Sequence, residues 1–187
     1  MSDMPNIIAS LTNRIDRPIA LIGLMGSGKS MLGRKLAQKL NLPFADSDTI
    51  VEGMAGISIA EIFELAGEPK FRDLERRAIL DSVSTGPMVL ATGGGAICAE
   101  ETSRLLDEKT VTVWLQASSK TLLSRIGSTT SRPLLANNDG LATLDRLIAE
   151  RTPLYQTAHI HLNTNNMSGT AALAALITSL NTHFAVK

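Results

Sequence analysis

Gly23-Leu24-Met25-Gly26-Ser27-Gly28-Lys29-Ser30 is the stretch from which the rest of this 187-residue chain is read. A glycine, four residues and then Gly-Lys-Ser is a phosphate-loop pattern, and its setting fits. Ahead of it, Pro18-Ile19-Ala20-Leu21-Ile22 is a short apolar run suited to a buried strand. Behind it, Met31, Leu32, Leu36, Ala37 and Leu40 recur at helical spacing, with Arg34, Lys35 and Lys39 on the other face. Glycines at 23, 26 and 28 permit a tight turn that gathers backbone N–H groups around one concavity. The following helix adds the partial positive charge of its N-terminus. Lys29 is placed to reach the β- and γ-phosphates of a nucleotide, and the Ser30 hydroxyl to ligate Mg²⁺. A plain strand-to-helix turn can also be glycine-rich, but Lys-Ser in register between strand and helix decides for nucleotide binding.

Composition narrows the field. A chain of this length suits one domain with a substantial core, and 44% hydrophobic residues fit a globular protein. Lys+Arg and Asp+Glu both number 18, so no overall field draws nucleic acid or an anionic membrane. With 3% aromatic residues there is little for a stacking groove either. Cys98 is the single cysteine, which fits a reducing cytoplasmic setting, and it is expected to be a small buried apolar residue. No apolar run approaches membrane-spanning length. Residues 1–17 lack a basic start followed by a sustained apolar region, so they read as a loosely held extension rather than a signal peptide. Residues 18–187 read as one domain.

Strands and helices alternate along it. Leu42–Asp46 reads as a strand, Thr49–Ala55 as a short helix closed by Gly56, and Ser58 with Glu61 as a capping box opening another. Gly67 ends that helix, and Pro69 suits the first turn of the next, which turns Phe71, Leu74, Ala78 and Leu80 inward. Strands follow at Pro87–Thr92, Val111–Leu115 and near Ile160, with helices at about 100–106, from Ser118 or Ser119 to Ile126, at 141–155 and at 169–180. The segment 127–140 is rich in Ser, Thr, Asn, Pro and Gly and is read as a mobile functional loop. This order implies a three-layer α/β/α fold with a five-stranded parallel sheet, whose ligands gather at the carboxyl ends of the strands.

Three polar sets sit at those ends: the phosphate loop, Asp46 with Asp48, and Gly93-Gly94-Gly95. Residues two apart in an extended segment point the same way, which directs both carboxylates to one site; helix capping is the ordinary alternative for such a pair. Arg72 and Glu75, three apart on a helix, share a face, and a guanidinium matches a carboxylate as a lysine does not. Three glycines in a row leave backbone N–H groups open to close approach, as they also would in a plain turn. Arg125 and Arg132 bracket the start of the long loop, and Arg151 precedes Thr152-Pro153-Leu154-Tyr155. A cation on a loop that closes over phosphates neutralises charge in transfer. His159 and His161 lack partners at metal-ligand spacing, and Trp114 and Tyr155 read as core or rim.

Taken together, the phosphate loop, Asp46-Ser47-Asp48, Phe71-Arg72-Asp73-Leu74-Glu75, Gly93-Gly94-Gly95, Arg132-Pro133-Leu134-Leu135 and Arg151-Thr152-Pro153-Leu154-Tyr155 resemble the shikimate kinase family in order and spacing. The resemblance runs over about residues 18–165 and implies a nucleoside-monophosphate-kinase-like fold. It implies ATP-dependent phosphorylation of the shikimate 3-hydroxyl by a cytoplasmic monomer. It further implies ATP contacts from Gly26, Ser27, Gly28, Lys29, Ser30, Met31, Arg125 and Arg132. Mg²⁺ would be held by Ser30 and, through water, by Asp46. Shikimate would meet Asp48 as candidate base, Arg72 and Arg151 as a carboxylate clamp, and the backbone of Gly94 and Gly95. Lys29, Asp48 and Arg132 would be catalytic, Arg132 arriving with the lid.

Two departures stand out. Met31 replaces the family's usual Thr, losing a hydroxyl near the α-phosphate. Asn163-Thr164-Asn165-Asn166 lacks the usual Asp before the Thr and the Arg that often follows. Another small-molecule kinase of this fold, such as gluconate kinase, is the nearest rival, and a catalytically silent nucleotide-binding module is the alternative of a different class.

Overall fold

The computed structural model describes residues 4–126 and 139–186. The expected lid at 127–140, with Arg132, Pro133, Leu134 and Leu135, falls almost wholly outside them.

Five strands form one parallel sheet: β1 (Ile19–Ile22), β2 (Phe44–Asp46), β3 (Val89–Ala91), β4 (Val111–Gln116) and β5 (Ile160–Asn163). Their spatial order is β2-β3-β1-β4-β5, which puts β1 in the middle with Leu21 opposite Ala91 on one side and Val113 on the other. β1 is buried along its whole length, as the continuous apolar run requires of a central parallel strand. Alternate residues feed two cores. Ile19 and Leu21 pack under α1 (Met4–Thr12), α2 (Lys29–Leu40) and α8 (Gly169–Ala185). Ala20 and Ile22 face the second layer, which contains α5 (Glu100–Lys109), α6 (Ser119–Ile126) and α7 (Gly140–Tyr155). A third cluster, Val51, Ile62, Phe71 and Ala78, joins α3 (Ser47–Ala55) to α4 (Ile59–Val83).

Local chemistry explains where the elements start and bend. Ser58 and Glu61 complete the capping box in both directions at the head of α4. Within α4, Gly67 leaves helical geometry at φ 77°, ψ 172°, so two helical limbs meet at a kink, with Pro69 in the first turn of the second limb. That second limb carries Arg72 and Glu75 toward the carboxyl edge of the sheet. Leu80 departs from the expected inward stripe: it is exposed, and Ile79 and Val83 are buried instead.

Two further expectations need correction. From Met4 the N-terminal stretch is not loosely held: it forms α1, whose Leu11 is fully buried among α2 and α8 side chains. Arg14, just beyond, fastens it by donating to the Asn181 side chain at 2.5 Å. Cys98 is exposed rather than buried, because it ends a one-turn 3-10 segment (Ala96–Cys98) after the triple glycine, where Ala96 and Ile97 take the inward positions.

Because Leu11 fills a closed site, Leu11→Ala should lower unfolding free energy by about 2–5 kcal/mol. Equilibrium urea unfolding measures it, and a change below about 0.5 kcal/mol would return α1 to the status of an appendage.

Candidate active site

The phosphate loop leaves the end of β1 in the middle of the sheet. Gly26 sits at φ +77°, and a Cβ there would lie 2.7 Å from the Leu122 carbonyl oxygen, so the loop can press against α6 only as glycine. Gly28 caps α2 without a side-chain hydrogen bond, which leaves the first N–H groups of that helix uncommitted to a cap side chain. Lys29 is nearly buried and folds back over the loop, its Nζ donating to the carbonyls of Gly23 (2.7 Å) and Leu24 (2.9 Å). Ser30 Oγ donates to Asp46 Oδ2 at 2.5 Å.

Asp46 serves two partners. It ends β2 and caps α3, Oδ1 accepting from the Asp48 N–H at 3.1 Å while Oδ2 takes Ser30. The extended alternation expected for Asp46 and Asp48 is not the geometry found. Ser47 already begins α3, so Asp48 enters from the first helical turn, and the capping alternative also holds for Asp46. Ser47 turns inward, fully buried, and its Oγ accepts from the Gly93 N–H at 2.9 Å.

The triple glycine lies where side chains from three directions meet. A Cβ on Gly93 would strike Glu75 Oε1 and Asp48 Oδ1; one on Gly95 would lie 2.5 Å from Arg72 Nη2; one on Gly94 would lie 3.2 Å from the Met25 nitrogen of the phosphate loop. Arg72 is held by Glu75 Oε2 (2.6 Å) and by Glu68 Oε1 (3.0 Å). Glu75 is wholly buried, and among the described residues its Oε1 has no hydrogen-bond partner. Burial pushes the Glu75 carboxyl up; Arg72 opposes this and Asp48 adds to it. Burial works against the charge on Arg72, but Glu75 and Glu68 outweigh it and hold the guanidinium above its ordinary value. From the opposite side, Arg151 on α7 donates to the Gly94 carbonyl at 2.9 Å.

A cleft of about 490 Å³ is lined by Gly26, Gly28, Lys29, Ser30 and Met31, by Asp46 and Asp48, and by Thr92, Gly94 and Arg125, whereas Arg72 lines a separate depression of about 310 Å³ with Arg76 and Glu101. Arg125 is fixed by Thr164, its guanidinium donating to the hydroxyl (3.0 Å) and the carbonyl (2.7 Å). Met31 rests against the start of α8. Sequence reasoning missed three polar contacts: Ser47 to Gly93, Thr164 under Arg125, and the Tyr155 hydroxyl, which donates to the Gly94 carbonyl at 2.6 Å. The last had a signal, since Tyr155 stands four residues after Arg151 on one helix face.

A phosphate loop whose Ser30 meets Asp46, with Asp48 on the same cleft, is an arrangement suited to phosphoryl transfer. The family model for shikimate kinase matches residues 25–181. The chain belongs to the shikimate kinase family. A shikimate kinase of Brucella canis is 46% identical over 165 residues, covering 88% of this chain and 82% of that one. One of Rhodopseudomonas palustris is 51% identical over 145 residues, covering 78% and 71%. The solved structure of shikimate kinase from Acinetobacter baumannii in complex with shikimate superposes with a TM-score of 0.86 at 34% identity, covering 95% of this chain and 99% of that one. The five-stranded sheet and its flanking helices are those of this P-loop kinase fold, and the family's reaction is the ATP-dependent phosphorylation of shikimate.

Gly95→Ala tests the crowding at the shikimate kinase site. The group in its way is the far end of the flexible Arg72 side chain, so the fold should survive while Arg72 is displaced. Steady-state kinetics should show the shikimate KM rising by about tenfold or more with the ATP KM little changed. Unchanged shikimate KM would contradict it.

Proposed function

We propose that this chain moves the γ-phosphoryl group of ATP to the 3-hydroxyl of shikimate by the following division of labour. One observation carries the assignment of roles: Arg72 and Arg151, on different helices, flank a side-chain-free glycine segment whose other face abuts the phosphate loop.

Lys29 exchanges its two carbonyl partners for β- and γ-phosphate oxygens, joined by the loop amides of Gly26, Ser27, Gly28, Ser30 and Met31. The Ser30–Asp46 pair is a hard oxygen set, which suits Mg²⁺. Among the described residues no group of three or more His, Cys, Asp or Glu forms a cage, which fits an ion completed by phosphate and water oxygens. Ser30 would hold Mg²⁺ directly and Asp46 through water; when bound, the ion neutralises charge on the transferring group. Arg72 and Arg151 clamp the shikimate carboxylate with paired donors, and the backbone of Gly94 and Gly95 supports the ring. Asp48 accepts the hydrogen bond of the 3-hydroxyl and takes its proton as the new O–P bond forms and the bond from the γ-phosphorus to the β–γ bridging oxygen breaks, with ADP leaving. Arg132 is assigned to the γ-phosphate when the lid closes, and Arg125 to the adenine side. Positioning and electrostatics supply most of the catalysis, so no strong base is required.

We read the enzyme as a cytoplasmic monomer that acts on small molecules and neither nucleic acid nor membrane. Its ATP demand, balanced charge and family resemblance support this, and among the described residues no helix is long and apolar enough to cross a membrane. Residues 18–187 form the kinase domain in this reading, with 1–17 an extension whose helix packs onto it.

A coupled ADP-release assay with Mg-ATP, run separately with shikimate and gluconate, tests the substrate. Turnover with shikimate alone is expected; turnover with gluconate alone would overturn the assignment of shikimate as substrate. Asp48→Asn should lose most of kcat while ATP binding, followed by calorimetry, is largely kept. Unchanged kcat would remove Asp48 from proton transfer. Arg151→Ala should cost about 1.5–3 kcal/mol of shikimate binding, a roughly ten- to hundredfold rise in KM, and an unchanged KM would refute the clamp.

A further inference from the structure

The roles above leave the Tyr155 hydroxyl without a function, although it makes one of the shorter hydrogen bonds near the site. The Gly94 carbonyl accepts from two donors, Tyr155 Oη at 2.6 Å and Arg151 Nη1 at 2.9 Å, which fills both of its lone pairs. The two donors differ in what substrate does to them. A carboxylate is a stronger, bidentate partner for a guanidinium than a neutral carbonyl is, so shikimate draws Arg151 away from Gly94. The phenol has no such competitor. We infer that Tyr155 is the positioning residue that holds the glycine segment still while Arg151 transfers its guanidinium from Gly94 to the substrate. This rests on the reading of Arg151 as a carboxylate clamp.

The surroundings of Tyr155 fit that task. Its ring is almost wholly buried and stacks on Trp114 at 5.5 Å and 19°. It also lines a second cavity of about 300 Å³ with Trp114, Leu122, Ile148 and Thr152, so packing does not enclose the ring on every side. The stack and the hydroxyl bond therefore fix its position. Burial pushes the phenol well above its usual range against the opposing pull of Arg151, with Cys98 and Arg72 the other ionisable neighbours, so it stays a neutral donor at working pH. Gly94 in turn rests against Met25 and Gly23 of the phosphate loop, and a shift of its peptide reaches the nucleotide side directly. Without the hydroxyl, binding shikimate would take from the part-buried Gly94 carbonyl the one donor left to it among the described residues. Arg151 would then be held back on Gly94, and the clamp would weaken.

The test is a double-mutant cycle read as shikimate KM. Tyr155→Phe should raise shikimate KM about 5- to 30-fold, the size of one lost hydrogen bond, with ATP KM within about twofold. In an Arg151→Ala background the same change should move KM by less than about twofold, because no transfer takes place. If Arg151→Ala leaves shikimate KM unchanged, the clamp itself fails and this inference with it. If Arg151→Ala raises KM while Tyr155→Phe does not, or acts equally in both backgrounds, only the positioning role is overturned. A readout without substitution is also available, since Tyr155 is the sole tyrosine. With 3-fluorotyrosine incorporated, its single ¹⁹F resonance should not titrate between about pH 6 and about pH 10, with or without shikimate. Titration on adding shikimate would show the hydroxyl released to solvent and refute the inference even if the Phe variant folds poorly.

Discussion

The site depends on the absence of side chains at three consecutive positions. Gly93, Gly94 and Gly95 leave the end of β3 into space already claimed by Asp48 and Glu75, by the phosphate-loop backbone, and by the Arg72 guanidinium. With no Cβ there, acids, cation and loop close on one another around a single strip of backbone. Close approach, rather than an unusual backbone angle, is what selects glycine here: none of the three has a positive φ. The strip is held at both ends of its chemistry, by Ser47 through the Gly93 N–H and by Tyr155 and Arg151 through the Gly94 carbonyl.

Charge is arranged around that strip with the same economy. Glu75 sits where a lone carboxylate would be costly, and Arg72 offsets the cost from 2.6 Å away. In the proposed clamp this arrangement favours binding: a guanidinium already oriented by Glu75 and Glu68 would lose less freedom on meeting a second carboxylate. On the nucleotide side, Lys29 lies on carbonyls of its own loop, and Ser30 lies on Asp46. Among the described residues, each cation or hydroxyl assigned to a ligand thus has a protein partner of matching chemistry that the ligand can displace or join.

Much of this was legible in the sequence. The phosphate loop, the Ser58–Glu61 capping box and the break at Gly67 before Pro69 are local features, and local residues determine them. The pairing of Arg72 with Glu75 followed from helical spacing alone. What escaped was tertiary. The burial of Leu11 depends on α2 and α8, which lie far along the chain. Asp48 reads as extended because the helix start at Ser47 depends on Asp46 capping it, a choice the local sequence leaves open. Cys98 looked like a core residue by type, but the one-turn 3-10 segment turns it outward. Tyr155 read as core by composition, and its burial is real; its hydroxyl partner lies 61 residues away in sequence.

The most direct test of the account is a crystal structure of the enzyme with Mg-ADP and shikimate. The shikimate carboxylate should lie between the guanidinium groups of Arg72 and Arg151 at ordinary charge-assisted hydrogen-bond distances of about 2.7–2.9 Å. The ring should rest on Gly94 and Gly95 with its 3-hydroxyl at Asp48. A carboxylate bound away from both arginines, or a ring that leaves the glycine strip uncovered, would contradict it.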